Sequence, residues 1–180
     1  MTFVLLQLGL ALHAFTLAES VYIHESAPDS ATAAVAPSFP RAVMDGNVVA
    51  VRRSLAAGAP VDQPMVYGGT ALHVAAADNN IPLVQVLLDA GADVRATNEY
   101  GSTPLMTAAG NGARECAQLL LDRGAQINAV DAYGLSPIAR AIQRGQLDML
   151  DFLADRGADL DATSNEGWNL LHLAAAEDDA

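Results

Sequence analysis

Two histidines and a cysteine, His73, His172 and Cys116, are residue types that could hold a metal or act on a substrate. An imidazole pair can ligate a divalent ion, and a thiolate can attack an electrophilic centre. Spacing argues against both uses. His73 and His172 lie three spans of 33 residues apart. Packed helical units advance roughly 8–10 Å each, which separates the pair by on the order of 25–30 Å. A shared zinc would need both imidazoles about 2 Å from the ion. Cys116 shares a register with Ala50, Leu83 and Met149, an apolar column in which a thiol acts as a small hydrophobe. His24, Glu25 and Ser26 are the types of a hydrolytic trio. They fall in a stretch of Glu, Ser, Ala, Pro, Asp and Thr without periodicity, and such a linker holds no fixed geometry. Gly134-Leu135-Ser136-Pro137-Ile138 lacks the second glycine of a nucleophile elbow. Gly110-Asn111-Gly112 lacks the lysine of a phosphate loop, and the chain has no lysine at all. The expectation is a protein without catalytic, cofactor or metal residues.

The elements that carry these residues repeat. Gly58, Gly91, Gly124 and Gly157 are each 33 residues apart, and each is followed by alanine. A second series, Gly68, Gly101, Gly134 and Gly167, keeps the same spacing. Two four-member series without an insertion indicate a repeat architecture.

Within one period, Thr103 is placed to cap a helix and Pro104 suits its first position. Gly112 ends that helix by accepting the left-handed conformation. A second helix over about 115–123 carries Cys116, Leu119, Leu120 and Leu121 as an apolar stripe, and Gly124 terminates it. The period is therefore helix, tight turn, helix and extended loop.

This arrangement resembles the ankyrin repeat, whose hallmark is Thr-Pro-Leu-His followed by Ala at period 33. The matching stretches are Thr70-Ala71-Leu72-His73, Thr103-Pro104-Leu105-Met106, Ser136-Pro137-Ile138-Ala139 and Asn169-Leu170-Leu171-His172. The fold expected is an all-α ankyrin-repeat solenoid over 36–180. Its units are about 36–67, 68–100, 101–133, 134–166 and a partial 167–180. The first departs most, with Pro37-Ser38-Phe39-Pro40 in place of the hallmark, as a capping unit would. The last is expected to form one helix over about 170–177 and to fray. The resemblance implies that His73 and His172 hydrogen-bond backbone between adjacent repeats. Met106 and Ala139 hold the same position and leave their interfaces without that bond.

The resemblance also implies a concave partner-binding face, formed by the residues flanking the second glycine series and the ends of the first helices. By position this face contains Tyr67, Asp78, Glu99, Tyr100, Tyr133, Leu135, Arg144, Glu166 and Trp168. Tyr67, Tyr100 and Tyr133 each precede a periodic glycine, so three of the four tyrosines share one register. Tyr and Trp are enriched in binding hot spots, although tyrosine in this register can equally stack on the neighbouring loop.

Composition fits. Alanine fills 36 of 180 positions, which suits short helices packed closely. The net charge is −12, with nine arginines as the only Lys or Arg residues, which argues against binding a phosphate backbone. Glu19, Glu25 and Asp29 lie before residue 36 without a compensating base, leaving −9 for the repeats. One cysteine excludes an intrachain disulfide. Residues 3–18 are 12 of 16 apolar, too short for a bilayer span of ~20 residues, and end in small residues before Glu19. This fits an export signal over 1–18 followed by a linker over 19–35, although no basic residue precedes the run.

The expected function is a non-catalytic, monomeric protein-interaction scaffold, secreted or periplasmic, whose partner presents a neutral or basic protein surface. No nucleic acid is expected, nor membrane insertion after signal cleavage. The alternative is a regulatory or inhibitory subunit of an envelope enzyme, tethered by an uncleaved N-terminal segment. A cytoplasmic location is the alternative to export.

Overall fold

The computed structural model describes residues 37–177, which belong to the unit Ala36–Ala180. The segments read as export signal and linker, 1–18 and 19–35, lie outside the described residues. Nine α-helices and one 3-10 turn are present among the described residues, without an extended strand. The one bridge, Thr163 to Asn169, is isolated.

The helices form pairs. They are α1 (Phe39–Met44) and α2 (Val48–Ala56), α3 (Ala71–Ala77) and α4 (Ile81–Asp89), and α5 (Pro104–Gly110) and α6 (Arg114–Asp122). The next pair is α7 (Pro137–Gln143) and α8 (Leu147–Asp155), followed by α9 (Leu170–Glu177). Local chemistry explains where each begins. The hydroxyls of Thr103 and Ser136 accept the Met106 and Ala139 N–H groups, with proline at the start of both helices. Asn47 and Asn80 cap the second helices by accepting the Ala50 and Leu83 N–H groups.

The Gly-Ala series ends the second helices in a shared way. Gly58, Gly91, Gly124 and Gly157 have φ of 87° to 90°. The N–H of the following alanine then reaches back five residues, as from Ala125 to the Leu120 carbonyl at 3.0 Å. This is a Schellman closure, and it accounts for the glycine of each pair. The turn inside each helix pair also needs a left-handed residue. Glycine supplies it at Gly46, Gly112 and Gly145, while Asn79 (φ 49°) supplies it between α3 and α4. Asparagine is one of the few side chains that tolerate that region.

One helix pair cannot bury its apolar faces by itself, so the core forms between pairs. Leu72, Leu105 and Ile138 occupy equivalent places on α3, α5 and α7 and are fully buried. Leu87, Leu120 and Leu153 do the same on the second helices. Ala75, Ala108 and Ala141 stand between the first helices with no exposed surface, and their lack of bulk lets these helices pack closely. The alanine excess of the sequence is located at this contact. Cys116 joins the core column with Leu83 and Met149, as its register predicts.

Candidate functional site

The loop tips between successive helix pairs are the part of the molecule that the aromatic residues mark. Each tip closes on itself, with the amides of Met65, Asn98, Asp131 and Ser164 donating to the carbonyls of Gly69, Ser102, Leu135 and Trp168. A side chain at the base of the tip braces it from within. The Asn98 oxygen accepts the N–H groups of Tyr100 and Ser102, and Asp131 does the same for Tyr133 and Leu135. Ser164 accepts the Trp168 N–H. Asp131 is also paired with Arg140 of α7, whose Nε donates at 3.0 Å and whose Nη2 reaches the same oxygen. The Asp131 side chain is fully buried, so four donors to one carboxylate offset its desolvation.

Neighbouring tips are joined backbone to backbone. The carbonyls of Tyr67, Tyr100 and Tyr133 accept the amides of Glu99, Ala132 and Asn165, each at 3.0 Å. This approach requires glycine next to each tyrosine. A Cβ on Gly134 would stand 2.6 Å from the Asn165 nitrogen, and one on Gly101 would stand 3.0 Å from that of Ala132. Both glycines also have positive φ. The second glycine series is thus a contact requirement as well as a turn requirement.

The tips hold their aromatic side chains outward. Tyr67, Tyr100 and Tyr133 are 44%, 38% and 47% exposed. Tyr67 and Tyr100 have ring centroids 6.3 Å apart at 46°, so stacking between loops and exposure to a partner coexist at this pair. Tyr67 adopts φ 52°, a left-handed conformation that disfavours a bulky side chain. Asp78, Glu99 and Glu166 are exposed. Although Asp78 is exposed at the surface, partial desolvation by its neighbours raises its carboxyl above the ordinary value, at a helix C-terminus where a negative charge is also opposed by the dipole. Arg144 is half-buried, with its side chain laid along Gly110 of the preceding repeat.

Two expected members of the face are placed differently. Leu135 is only 4% exposed and packs with Ala139 and Leu173, so it is a core residue and no part of the face. The reason is α9, whose Leu173 closes over it. Trp168 is half-buried against the same cluster, and its ring meets His172 edge-on at 6.2 Å. Part of its surface is therefore committed to internal packing.

The residues with possible chemistry are occupied structurally. His73 Nδ1 accepts the Thr70 N–H at 3.1 Å, which leaves Nε2 to donate to the Ser102 carbonyl of the next repeat at 2.9 Å. Desolvation lowers its pKa below the usual imidazole value, against the raising effect of the Ser102 bond. His172 makes the local bond, Nδ1 accepting from Asn169 at 3.3 Å. Its expected bond to an adjacent repeat is not present among the described residues. Met106 replaces the His73 local bond with sulfur, accepting the Thr103 N–H at 3.4 Å. Burial, with Glu115 adding to it, pushes the Cys116 thiol up to about 11, far from thiolate chemistry at neutral pH. Among the described residues no group of His, Cys, Asp and Glu is arranged to hold a metal ion. No described helix is long and apolar enough to cross a membrane.

Two features of this site, the Asp131–Arg140 pair and the carbonyl-to-amide rungs, and one away from it on α8, the outer cover of Phe152, have no distinctive mark in the sequence. Arg114 and Arg156 lie over the Phe152 ring at 5.0 and 4.8 Å. The register of Asn98 and Asp131, two residues before each tyrosine, is the one signal that could have located the braces.

Comparison with known families agrees with this geometry. A family model described as ankyrin repeats (3 copies) matches residues 40–131. A second, described as ankyrin repeats (many copies), matches 115–154 and 138–179. No curated protein matches the chain.

Proposed function

Because the chain belongs to the ankyrin repeat family, whose repeats generally mediate protein–protein interaction, we propose that it is a non-catalytic scaffold binding a protein through its loop tips. The observation that carries this reading is the row of exposed tyrosines, Tyr67, Tyr100 and Tyr133, mounted in one register on tips that the backbone holds rigidly. Pre-organised aromatic side chains lose little entropy on binding, which makes them effective anchors. Glu99, Glu166 and Asp78 add negative charge beside them and favour a partner with a neutral or basic surface. Arg144 and part of Trp168 complete the face, and Leu135 is excluded from it by burial. Tyr100→Ala combined with Tyr133→Ala tests the reading. Affinity for the partner should fall by at least tenfold with the fold unchanged, as expected for removal of central aromatic anchors.

The apolar run over 3–18, with Thr16 and Ala18 before Glu19, supports export as the setting in which that partner is met. Mass spectrometry of the mature chain tests this. A new N-terminus near Glu19 is the expected result, and an intact Met1 would refute cleavage and favour the tethered regulatory subunit or a cytoplasmic location.

A further inference from the structure

We infer that the exposed surface of the first two loop tips, formed by Tyr67, Glu99 and Tyr100, receives an arginine side chain of the partner. The inference rests on the recognition face proposed above and specifies its chemistry at one point.

Three observations meet there. The rings of Tyr67 and Tyr100 lean on each other, with centroids 6.3 Å apart and tilted by 46°, and both residues keep over a third of their surface exposed. The Glu99 amide is tied to the Tyr67 carbonyl at 3.0 Å, which holds Glu99 beside Tyr67 in space as it adjoins Tyr100 in sequence. Its side chain crosses over Gly68, where a Cβ would lie 2.9 Å from its Cγ. The Glu99 carboxylate has no hydrogen bond or ion pair among the described residues. An exposed carboxylate on a surface that also displays two tyrosines is complementary to a cation that has flat faces and several N–H donors.

A guanidinium meets both demands. It stacks on an aromatic face through its plane and donates through its fork to a carboxylate, whereas an ammonium is a compact and more strongly hydrated point charge. The ring half of this pairing already occurs inside this chain, where Arg114 and Arg156 lie over Phe152. The next tips lack the combination. Ala132 stands in the register of Glu99 between Tyr100 and Tyr133, and Asn165 stands in that of the third pair with its amide donating to the Ala132 carbonyl. The arginine position is therefore specific to the first pair.

Two peptides of equal charge, hexaarginine and hexalysine, separate this site from general attraction to an acidic protein. Isothermal titration of the full chain at fixed ionic strength should show hexaarginine binding about fivefold tighter than hexalysine. The preference should fall below about twofold in Glu99→Gln, a surface change that leaves the fold intact, and in Tyr67→Leu combined with Tyr100→Leu. Asp151→Asn, which removes one charge from the exposed side of α8, should leave the preference in place. Equal affinities in the unmodified chain, or a preference that survives both Glu99→Gln and the double substitution, would overturn the inference. If the preference is absent while Tyr100→Ala with Tyr133→Ala still abolishes partner binding, the arginine site falls and the recognition face stands.

Discussion

The Tyr133 carbonyl accepts the Asn165 amide at 3.0 Å across the boundary between two repeats, and Gly134 lies against this contact. The same rung joins Tyr67 to Glu99 and Tyr100 to Ala132, so the exposed tyrosines are attached to backbone that is hydrogen-bonded across each repeat boundary. Rigidity and display have one cause.

That cause predicts unequal responses to one substitution. Gly134→Ala introduces left-handed strain of roughly 1–2 kcal/mol and forces the Asn165 backbone away, for a total of at least about 2–3 kcal/mol. Gly167 has nearly the same φ, but a Cβ there meets nothing within 4 Å, so Gly167→Ala costs only the strain. Urea denaturation should show the larger fall in midpoint for Gly134→Ala, with the slope unchanged.

His73 predicts an acid-side loss of stability. Its folded pKa lies below the unfolded value of 6.5, so the unfolded chain binds more protons between the two. Stability therefore rises with pH across that interval. The contribution of neutral His73 is complete above about 6.5 and declines as pH falls toward the folded value. Thermal unfolding followed from pH 8 to 5 should show this slope, and His73→Gln should flatten it.

Cys116 predicts inertness. With its thiol buried and raised to about 11, native protein should resist disulfide-exchange reagents at pH 8. Addition of denaturant should release one equivalent of reactive thiol. Rapid labelling of the native protein would contradict the packing described for α6.

The Asp131–Arg140 pair predicts a local effect beyond global stability. Arg140→Met removes the cation from a fully buried carboxylate, and the cost is about 2–3 kcal/mol, below the ~3–5 of a wholly buried pair because Arg140 is partly exposed. Asp131→Asn is milder, since Asn98 shows that an amide oxygen can brace the same turn. Hydrogen exchange at 133–135 should accelerate in Arg140→Met more than in Asp131→Asn.

Much of this architecture is legible in the residues because repeat folds write their constraints at fixed spacing. The two glycine series locate the helix ends and the tips, Thr103-Pro104 marks a helix start, and the column through Cys116 identifies buried positions. The core role of His73 follows from resemblance and is met by its bond to Ser102. What escapes depends on contacts between neighbouring repeats. Leu135 occupies a face position by register, yet Leu173 of α9 closes over it. Arg140 differs from its counterparts Val74, Thr107 and Leu173, so no periodicity announces that it answers Asp131. Asn79 hides a left-handed turn because glycine holds that place in three other units.

The most direct test of the recognition face is a quantitative binding measurement with two matched variants. One removes the tip aromatics, Tyr100→Ala with Tyr133→Ala, and the other alters the exposed side of the second helices, Gln85→Ala with Asp151→Ala. Protein partners retained by the unmodified chain should be lost from the first variant and kept by the second, with both variants folded by circular dichroism. Undiminished binding to the tip variant, or loss confined to the second-helix variant, would contradict the proposed face.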